Sequence, residues 1–246
     1  MQKSIKSYLR KASDFAADVL FPRRCPVCGE IVTPFGELIC PDCVGSLSPI
    51  RQPVCRRCGK EVESERMEYC FDCTKHFRTF EHNFALLNYN ETASRSMSAV
   101  KYRNRREYLD FYSQAICLRY GKALKNLRPD ALIPIPVHPS RKKIRGFNQA
   151  EVLAKHISAN LEIPYYPNAL KRTKKTVPQK QLNPSQRLHN LEQAFSPGQL
   201  PGNVHTVILV DDIYTTGSTL EACTRVLKSM GAARVFGITI CIGAKV

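Results

Sequence analysis

One segment of thirteen residues, ILVDDIYTTGSTL at positions 208–220, constrains the fold of this chain more than any other. Its branched and long apolar residues predict a buried strand, and two carboxylates, Asp211 and Asp212, follow at the end of that strand. Apolar residues at helical spacing begin at Leu220 and stop at Gly231. Between strand and helix lies a turn of glycine and hydroxyl residues, namely Thr215, Thr216, Gly217, Ser218 and Thr219. The segment therefore predicts a strand–loop–helix unit.

The loop of this unit has the chemistry of a phosphate site. Backbone N–H groups that enter a helix are unpaired and favour an anion, and Gly217 lets the backbone approach it closely. The hydroxyl groups add donors, whereas the neighbouring carboxylates accept hydrogen bonds when they are ionised. A ligand with a phosphate at one end and vicinal hydroxyls beside it, such as a ribose 5-phosphate, matches this pattern.

Two other interpretations of the segment remain open. It could be a strand that ends in a solvated acidic turn, with no ligand. It could also be a magnesium site like that of a Walker B strand, although the chain contains no GxxxxGK[ST] loop to complete such a site.

Residues 207–219 resemble the signature of the type I phosphoribosyltransferases, which bind phosphoribosyl pyrophosphate (PRPP). The resemblance implies that Asp211 and Asp212 hold the ribose hydroxyls, that the turn at 215–219 holds the 5′-phosphate, and that Mg²⁺ accompanies PRPP. Tyr214 departs from the aliphatic residue that is usual in the family.

Two further loops complete this resemblance. We expect a basic loop at 141–145 before a helix that starts near Asn148. It resembles the pyrophosphate loop, with Arg145 as the leading cation and with backbone donors at Gly146, Phe147, Asn148 and Gln149; a solvated basic turn is the alternative. The polar stretch from 171 to 195 resembles the loop that closes over PRPP, with candidate ligands Lys171, Arg172, Lys174, Gln179, Arg187 and Asn190.

The fold class follows from strand–helix alternation after residue 130. Strands are predicted at 82–90, at 130–137, over the IPYYPNAL segment at 163–170, before the acidic pair and in RVFGITICI near the end. This alternation predicts an α/β fold with a doubly wound parallel sheet, in which ligands bind at the carboxyl ends of the strands.

The cysteines form an internal repeat of four CxxC pairs whose first members are 15 residues apart. The spacing predicts two structural Zn²⁺ sites, each with four thiolate ligands and no open coordination position. The ligands are Cys25, Cys28, Cys40 and Cys43, then Cys55, Cys58, Cys70 and Cys73. Sequential pairing is favoured because it closes shorter loops, whereas interleaved pairing remains geometrically feasible. Cys117, Cys223 and Cys241 lie outside the pattern and are interpreted as buried apolar side chains.

Charge is concentrated in the middle of the chain. Residues 91–190 hold 20 Lys and Arg against 6 Asp and Glu, within a formal net charge of +16. This surplus indicates a polyanionic partner, which could be PRPP or the backbone of single-stranded DNA. Tyr102 is the best candidate for stacking on a base, whereas Tyr108, Phe111 and Tyr112 have the spacing of a helix core.

The N-terminal residues 1–24 predict an amphipathic helix and not a signal peptide, because Asp14 and Asp18 interrupt the apolar stretch. We expect this helix to dock on the body of the protein; a membrane-surface helix, with peripheral association with the DNA-uptake machinery, is the alternative. No apolar run is long enough for a transmembrane segment, and we expect a cytoplasmic protein. The expected domains are that helix, a double zinc ribbon at 25–75 and a phosphoribosyltransferase-like domain at 82–246.

The order of these motifs, from LFPRRCPVCG through IPIPVHPSRKKIRGFNQAEVLA and the Q-x-x-L-x-x-x-x-R-x-x-N stretch at 179–190 to VDDIYTTGSTL, resembles the ComF family. The resemblance implies a zinc ribbon fused to a phosphoribosyltransferase domain, a role in the uptake of single-stranded DNA during natural transformation, and a competence helicase as partner. An active phosphoribosyltransferase of nucleotide salvage or nucleic-acid modification, with an unknown acceptor, is the alternative function.

Overall fold

The computed structural model describes residues 22–173 and 194–243 of the 246-residue chain. The N-terminal helix predicted at 1–24 lies almost entirely outside these residues. The helices of the described residues, in chain order, are α1 Pro41–Val44, α2 Phe71–Lys75, α3 Glu91–Tyr102, α4 Tyr108–Asn126, α5 Pro139–Arg145, α6 Gln149–Leu161 and α7 Ser218–Ser229. The strands are β1 Asn83–Asn88, β2 Ala131–Pro134, β3 Leu170–Arg172, β4 Phe195–Pro197, β5 Thr206–Tyr214 and β6 Arg234–Ile242.

The main sheet has four parallel strands in the order β1-β6-β5-β2. The signature strand β5 is central, and Asp211 pairs with Thr239 of β6. Pro134, which lacks a backbone N–H group, is tolerated because it ends β2 at the edge of this sheet, and Pro136 shapes the following loop. The parallel sheet between helices confirms the predicted fold class.

Alternate residues of β5 face two different cores, as expected for a strand buried on both sides. Ile208 and Val210 pack in a cluster with α4 and α6, whereas Val207 and Leu209 pack in a second cluster with α7. The second cluster also contains Cys55, Cys58 and Cys70, so the zinc ribbon shares a core with the signature helix. Tyr108 and Tyr112 are buried in the first cluster, as their spacing predicts.

Two sequence predictions require correction. The strand predicted at 163–170 is reduced to a single bridge between Leu132 and Tyr165, because Pro164 and Pro167 cannot donate to a ladder. The basic loop predicted at 141–145 belongs to helix α5, which is capped by the His138 side chain and ends at Gly146 with φ of 78°. A proline at the start and a left-handed glycine at the end of a short helix explain this difference.

Candidate functional site

The acidic pair lies near the end of strand β5, at the carboxyl edge of the sheet. Asp212 is buried, with 9% of its side chain exposed, and it forms an ion pair with Lys101 at the end of α3. The Lys101 side chain is also largely buried, at 17% exposed. Asp211 is half-buried, and its Oδ1 accepts a hydrogen bond from the backbone N–H of Asp212 at 2.9 Å. Contacts within the protein therefore fix the acidic pair, and Lys101 supplies a positive charge beside it.

The two carboxyl groups differ in their affinity for protons. Burial, followed by the neighbouring charge of Asp212, raises the pKa of Asp211 well above its ordinary value. Burial also opposes ionisation of Asp212, but the charge of Lys101 lowers the pKa of Asp212 below its ordinary value. Because two carboxyl groups this close titrate together, the first proton that the pair binds resides on Asp211, at a higher pH than an ordinary carboxyl group would bind it, while Asp212 stays ionised. One residue can then donate a hydrogen bond while the other accepts.

The loop after β5 has the backbone geometry of an anion site. Gly217 has φ of 76°, in the left-handed region, and precedes the first turn of α7 without any side-chain cap. The hydroxyls of Thr216 and Ser218 lie 2.9 Å apart. A small cavity here is lined by Asp211, Thr215, Gly217 and Thr219, among others. The structure thus brings the acidic pair and the hydroxyl turn to one place.

Tyr214, the residue that departs from the family pattern, packs against this loop. Its side chain is 7% exposed and makes an edge-to-face contact with Phe80, with 6.3 Å between ring centroids. A Cβ atom at position 217 would overlap the Tyr214 hydroxyl. Gly217 is therefore required both by its backbone conformation and by the tyrosine beside it.

The predicted pyrophosphate residues lie next to the acidic pair. Arg145 is close enough to Asp212 for its charge to lower the pKa of that carboxyl, after the larger effects of burial and Lys101. The Arg145 guanidinium lies 5.3 Å from the ring centroid of Tyr102, and its Nη1 donates to Gln149 Oε1 at 3.3 Å. Cation and acidic pair therefore face the same region.

The residues expected to supply backbone donors after Arg145 differ in their local contacts. The Gly146 N–H donates to the Lys142 carbonyl at 2.8 Å, because it ends helix α5. Asn148 caps α6 by accepting from Ala150 N, and its side-chain amide donates to the Ile135 carbonyl. Phe147 is buried beneath the guanidinium of Arg106, at 4.3 Å. The backbone hydrogen bond at Gly146, the Asn148 cap and the Arg106 contact thus fix the shape of this loop.

Part of the expected closing loop lies outside the described residues, including Lys174, Gln179, Arg187 and Asn190. Lys171 and Arg172 are described, in strand β3. Burial lowers the pKa of Arg172, and the charge of Asp211 partly opposes that shift. Arg172 therefore lies within electrostatic range of the acidic pair.

The eight CxxC cysteines form two clusters in the sequential arrangement, 25/28/40/43 and 55/58/70/73, with the sulfurs of each cluster within 4.8 Å of one another. A tetrahedral Zn²⁺ with Zn–S bonds of about 2.3 Å separates its sulfurs by about 3.8 Å. The observed distances of 4.0 Å between Cys28 and Cys40 and 3.6 Å between Cys58 and Cys70 fit this ion. Four sulfur ligands leave no open position, so both sites are structural.

The thiolate of Cys25, in the first cluster, is stabilised by the backbone. Burial alone would raise the pKa of Cys25, but hydrogen bonds from backbone N–H groups, including that of Val27, lower it to about 7. Gly29 and Gly59, one residue after the second cysteine of a knuckle, have φ of 83° and 75°. The turn that these glycines allow directs N–H groups at the sulfurs, which favours metal binding.

The segment that follows the second zinc ribbon is hydrogen-bonded to the signature unit. Arg78 Nη2 donates to the Thr216 carbonyl at 2.8 Å, within the hydroxyl turn. The backbone N–H and the hydroxyl of Thr79 donate to Glu221 in the first turn of α7. These hydrogen bonds therefore link the segment after the ribbon to the loop, at Thr216, and to buried Glu221 of α7.

Lys101 and Arg78 are the functional candidates that sequence reasoning missed. Lys101 is the first residue of the basic run KYRNRR, where charge alone does not distinguish it from its neighbours. Arg78 lies between the zinc module and β1, outside any motif. Only the tertiary contacts identify these two residues.

Comparison with known proteins gives the same two parts. A Double zinc ribbon domain matches residues 16–74, and a Phosphoribosyl transferase domain matches residues 147–245. The chain is 37% identical over 125 residues to Competence protein F of Haemophilus influenzae, covering 49% of this chain and 54% of the relative. It is 29% identical over 160 residues to Competence protein ComFC of Bacillus subtilis, covering 64% and 63%.

DNA utilization protein YhgH of Escherichia coli O157:H7 is 32% identical over 139 residues, covering 55% of this chain and 61% of the relative. Each of these three alignments spans less than two thirds of the relative's own length. Among solved structures, a purine phosphoribosyltransferase from Pyrococcus horikoshii matches with a TM-score of 0.32 and 21% identity, over 55% of this chain and 73% of that one.

No helix in the described parts of the chain is both long and apolar enough to cross a membrane. The parallel sheet, the paired cysteine clusters and the sequence relatives together confirm the resemblance noted from the motifs. The chain joins a double zinc ribbon to a phosphoribosyltransferase domain and is homologous to the ComF-type competence proteins.

Proposed function

We propose that this chain binds PRPP together with Mg²⁺ at the carboxyl end of strand β5. The observation that supports this most directly is the position of Asp211 and Asp212 immediately before a loop with a left-handed glycine and clustered hydroxyls. The acidic pair would hold the two ribose hydroxyls. The residues from Thr215 to Thr219 would hold the 5′-phosphate.

The protonation of the pair matches a sugar ligand. Asp212, ionised beside Lys101, can accept a hydrogen bond from one hydroxyl, and Asp211 can accept when it is ionised and also donate when it holds a proton. Mg²⁺ prefers oxygen ligands and binds phosphates with its remaining positions, so it would neutralise the pyrophosphate with Arg145. The residues from 146 to 149, together with Gln179 and Arg187, would supply the remaining contacts to the pyrophosphate.

Calorimetric titration of the full chain with PRPP and Mg²⁺ tests this proposal. We expect the variant with both Asp211→Asn and Asp212→Asn to lose binding, because neither amide can replace an ionised acceptor. Asp42→Asn, an exposed change in the first zinc ribbon, is the matched control and should bind as the wild type does. Undiminished binding in the double variant would contradict the ribose assignment.

The names of the relatives support a role in DNA handling, and we place this chain in the uptake of single-stranded DNA during natural transformation, in the cytoplasm and with a competence helicase as partner. The exposed fraction of Tyr102, 71%, supports single-stranded DNA as a second ligand, because exposed aromatic rings stack on bases. Its neighbours Arg103, Arg105 and Arg106 would meet the phosphates.

Fluorescence anisotropy with a labelled oligo(dT) tests this second ligand. Affinity should fall steeply as salt rises, since binding to phosphates releases counterions. Tyr102→Ala should weaken binding by about 1–3 kcal/mol, the usual contribution of one stacked base. An affinity that does not change with salt would exclude a phosphate-dominated interface.

Active phosphoribosyl transfer, in nucleotide salvage or nucleic-acid modification, is the alternative function. It is supported by the same site, because Arg145 lies close enough to the acidic pair to stabilise a departing pyrophosphate while the carboxyl groups hold the ribose. Pyrophosphate release from PRPP, screened against nucleobases, nucleotides and single-stranded DNA, distinguishes an enzyme from a PRPP-binding protein. Release that occurs with one acceptor and disappears in the double aspartate variant would establish the enzyme.

A further inference from the structure

A groove of about 1,100 Å³ lies between the first zinc ribbon and the helices α4 and α6. Residues 35–39 of the ribbon line one side of it, and residues of α4 and the end of α6 line the other. Arg23, at the start of the described residues, also lines it. None of its described lining residues belongs to the proposed PRPP site, so the groove is a separate feature of the molecule.

Helix α4 presents a second apolar stripe to this groove, in addition to the stripe that it buries in the core. Phe111, Ala115 and Leu118 line the groove at the i, i+4, i+7 spacing of one helical face. The Leu118 side chain is 90% exposed, and Phe35 of the zinc ribbon is 57% exposed. Apolar residues gathered in this way on two elements indicate a surface that packs against a further element.

Residues 1–21, which lie outside the described structure, carry a matching apolar pattern in their sequence. Phe15, Val19 and Leu20 share one face of the predicted amphipathic helix. Pro22 disfavours the helical conformation in the residue before it, so the predicted helix ends by Leu20. These three apolar residues therefore lie within seven positions of Pro22, where the described structure starts.

The chain enters the described structure at the edge of the groove. Arg23 Nη1 donates to Asp110 Oδ2 at 2.8 Å, and His156 Nδ1 lies 3.1 Å from Asp110 Oδ1. Because Asp110 belongs to α4 and His156 to α6, these contacts hold the start of the ribbon against both helices. A segment tethered at this point has a high effective concentration at the groove, which lowers the entropy cost of docking there.

The charges of the segment suit the same surface. Residues 1–21 hold four Lys and Arg against two Asp. Glu37, in the part of the ribbon that lines the groove, is exposed and offers a carboxylate to these cations. Exposed ion pairs of this kind add little to affinity but favour one orientation of the docked segment.

We propose that residues 1–20 dock as an amphipathic helix in this groove of the same chain. The face formed by Phe15, Val19 and Leu20 packs against α4 and against the first zinc ribbon. The docked segment covers the second apolar stripe of α4 and ties the first ribbon to the helices beside the sheet. The first zinc ribbon thereby gains a contact with the rest of the fold that its metal site does not provide.

Two exposed aliphatic residues on helices provide matched variants. Leu118 lines the groove, whereas Ile144, 81% exposed on α5, does not. The test variant is therefore Leu118→Asp and the control variant is Ile144→Asp. Zinc content and the amide exchange of strand β5, measured in both, report whether the rest of the fold is intact.

Hydrogen exchange of the full-length protein, followed by mass spectrometry, measures the protection of residues 5–20. An isolated helix of this length is marginal in water, so a synthetic peptide of residues 1–21 gives the undocked exchange rate. In the wild type these amides should exchange about ten-fold more slowly than in the peptide. Leu118→Asp should return them close to the rate of the peptide, and Ile144→Asp should leave them protected.

A second measurement observes the groove itself. Cys117 lines the groove and is half-buried, so a docked segment restricts access to its thiol. Alkylation of Cys117, located by peptide mapping, should be slower in the wild type than in a variant with Val19→Asp and Leu20→Asp. This variant changes the segment and leaves every residue of the groove in place.

Exchange of residues 5–20 at the peptide rate in the wild type, or equal protection in Leu118→Asp and Ile144→Asp, would overturn the proposal. Protection that disappears on dilution would assign the segment to the groove of a second copy, and protection that requires anionic lipid vesicles would assign it to a membrane surface; either result also overturns it. Neither measurement involves PRPP, so failure of the proposed function leaves this inference unaffected.

Discussion

Lys101 controls the charge of the acidic pair. Burial alone would lower the pKa of this amine, but the adjacent Asp212 raises it above its ordinary value, so Lys101 stays charged. Its charge in turn favours ionised Asp212. Without this lysine, two buried carboxyl groups would both tend to hold protons, and the site would lose its acceptor.

We therefore predict that Lys101→Met weakens PRPP binding, most strongly at the lowest pH, because the charge of Lys101 is what lowers the pKa of Asp212. Removing the positive charge raises that pKa, so the ionised fraction falls, and binding should recover as pH rises. Titrations between pH 6 and 9 measure this shift. Lys101→Arg keeps the charge and should keep most of the wild-type profile; a loss independent of pH in Lys101→Met would argue against this role.

Gly217 carries a second prediction for a single residue. Its φ of 76° and the Tyr214 hydroxyl, which a Cβ atom there would overlap, leave no room for a side chain. Gly217→Ala should lower the free energy of unfolding by about 1–3 kcal/mol and abolish PRPP binding. Calorimetry and thermal unfolding measure both effects. Gly202→Ala, at a position where a Cβ would meet nothing within 4 Å, should leave both unchanged.

The contact between the zinc ribbon and helix α7 depends on one buried carboxylate. Glu221 is fully buried and accepts from Thr79 N at 2.7 Å, Thr79 Oγ1 at 3.0 Å and Arg225 Nε at 2.8 Å. No sequence motif marks this residue, because Thr79 lies 142 positions away in the chain. The apolar periodicity of its own residues predicts helix α7, but the contact between Glu221 and Thr79 fixes the orientation of this helix in the fold.

Glu221→Ala should lower the free energy of unfolding by about 3 kcal/mol, because it leaves buried donors without an acceptor. Chemical denaturation measures the change. Glu151→Ala on α6 removes an ion pair with Lys142 that is largely exposed and should cost less than about 1 kcal/mol. Similar losses in the two variants would show that the buried contact contributes little.

Periodicity predicted the helices that turn one apolar face to the core and the strands whose residues are mostly buried. The α4, α6 and α7 helices and the β1, β5 and β6 strands match the expected segments. Sequence reasoning failed where local chemistry is ambiguous: prolines at 164 and 167 break an apolar strand pattern, and a cationic stretch at 141–145 forms a helix because of its caps.

For the whole molecule, the two zinc sites should differ in their effect on the ligand site. The second cluster packs in the same core as α7 and lies beside Tyr214, whereas Arg23, next to the first cluster, pairs with Asp110 of α4. Cys70→Ser should therefore reduce zinc from two to one per chain and weaken PRPP binding. Metal analysis and calorimetry measure these effects.

Cys40→Ser provides the comparison, since it should also remove one zinc but leave PRPP binding close to that of the wild type. Equal loss of binding in both variants would indicate general unfolding rather than contact between the second ribbon and the loop. A content of one zinc in the wild type would show that one cluster does not bind metal.

The sequence by itself determined the chemistry: two four-cysteine clusters, an acidic pair before a hydroxyl turn, and an α/β order of elements, because each depends on residues close together in the chain. Only the tertiary structure decided which distant residues contact these groups. Lys101 reaches Asp212, Arg78 reaches Thr216, and the second zinc ribbon encloses a cavity beside the signature loop. Such contacts join residues more than a hundred positions apart, and only the packing of helices and ribbon around the sheet brings them together.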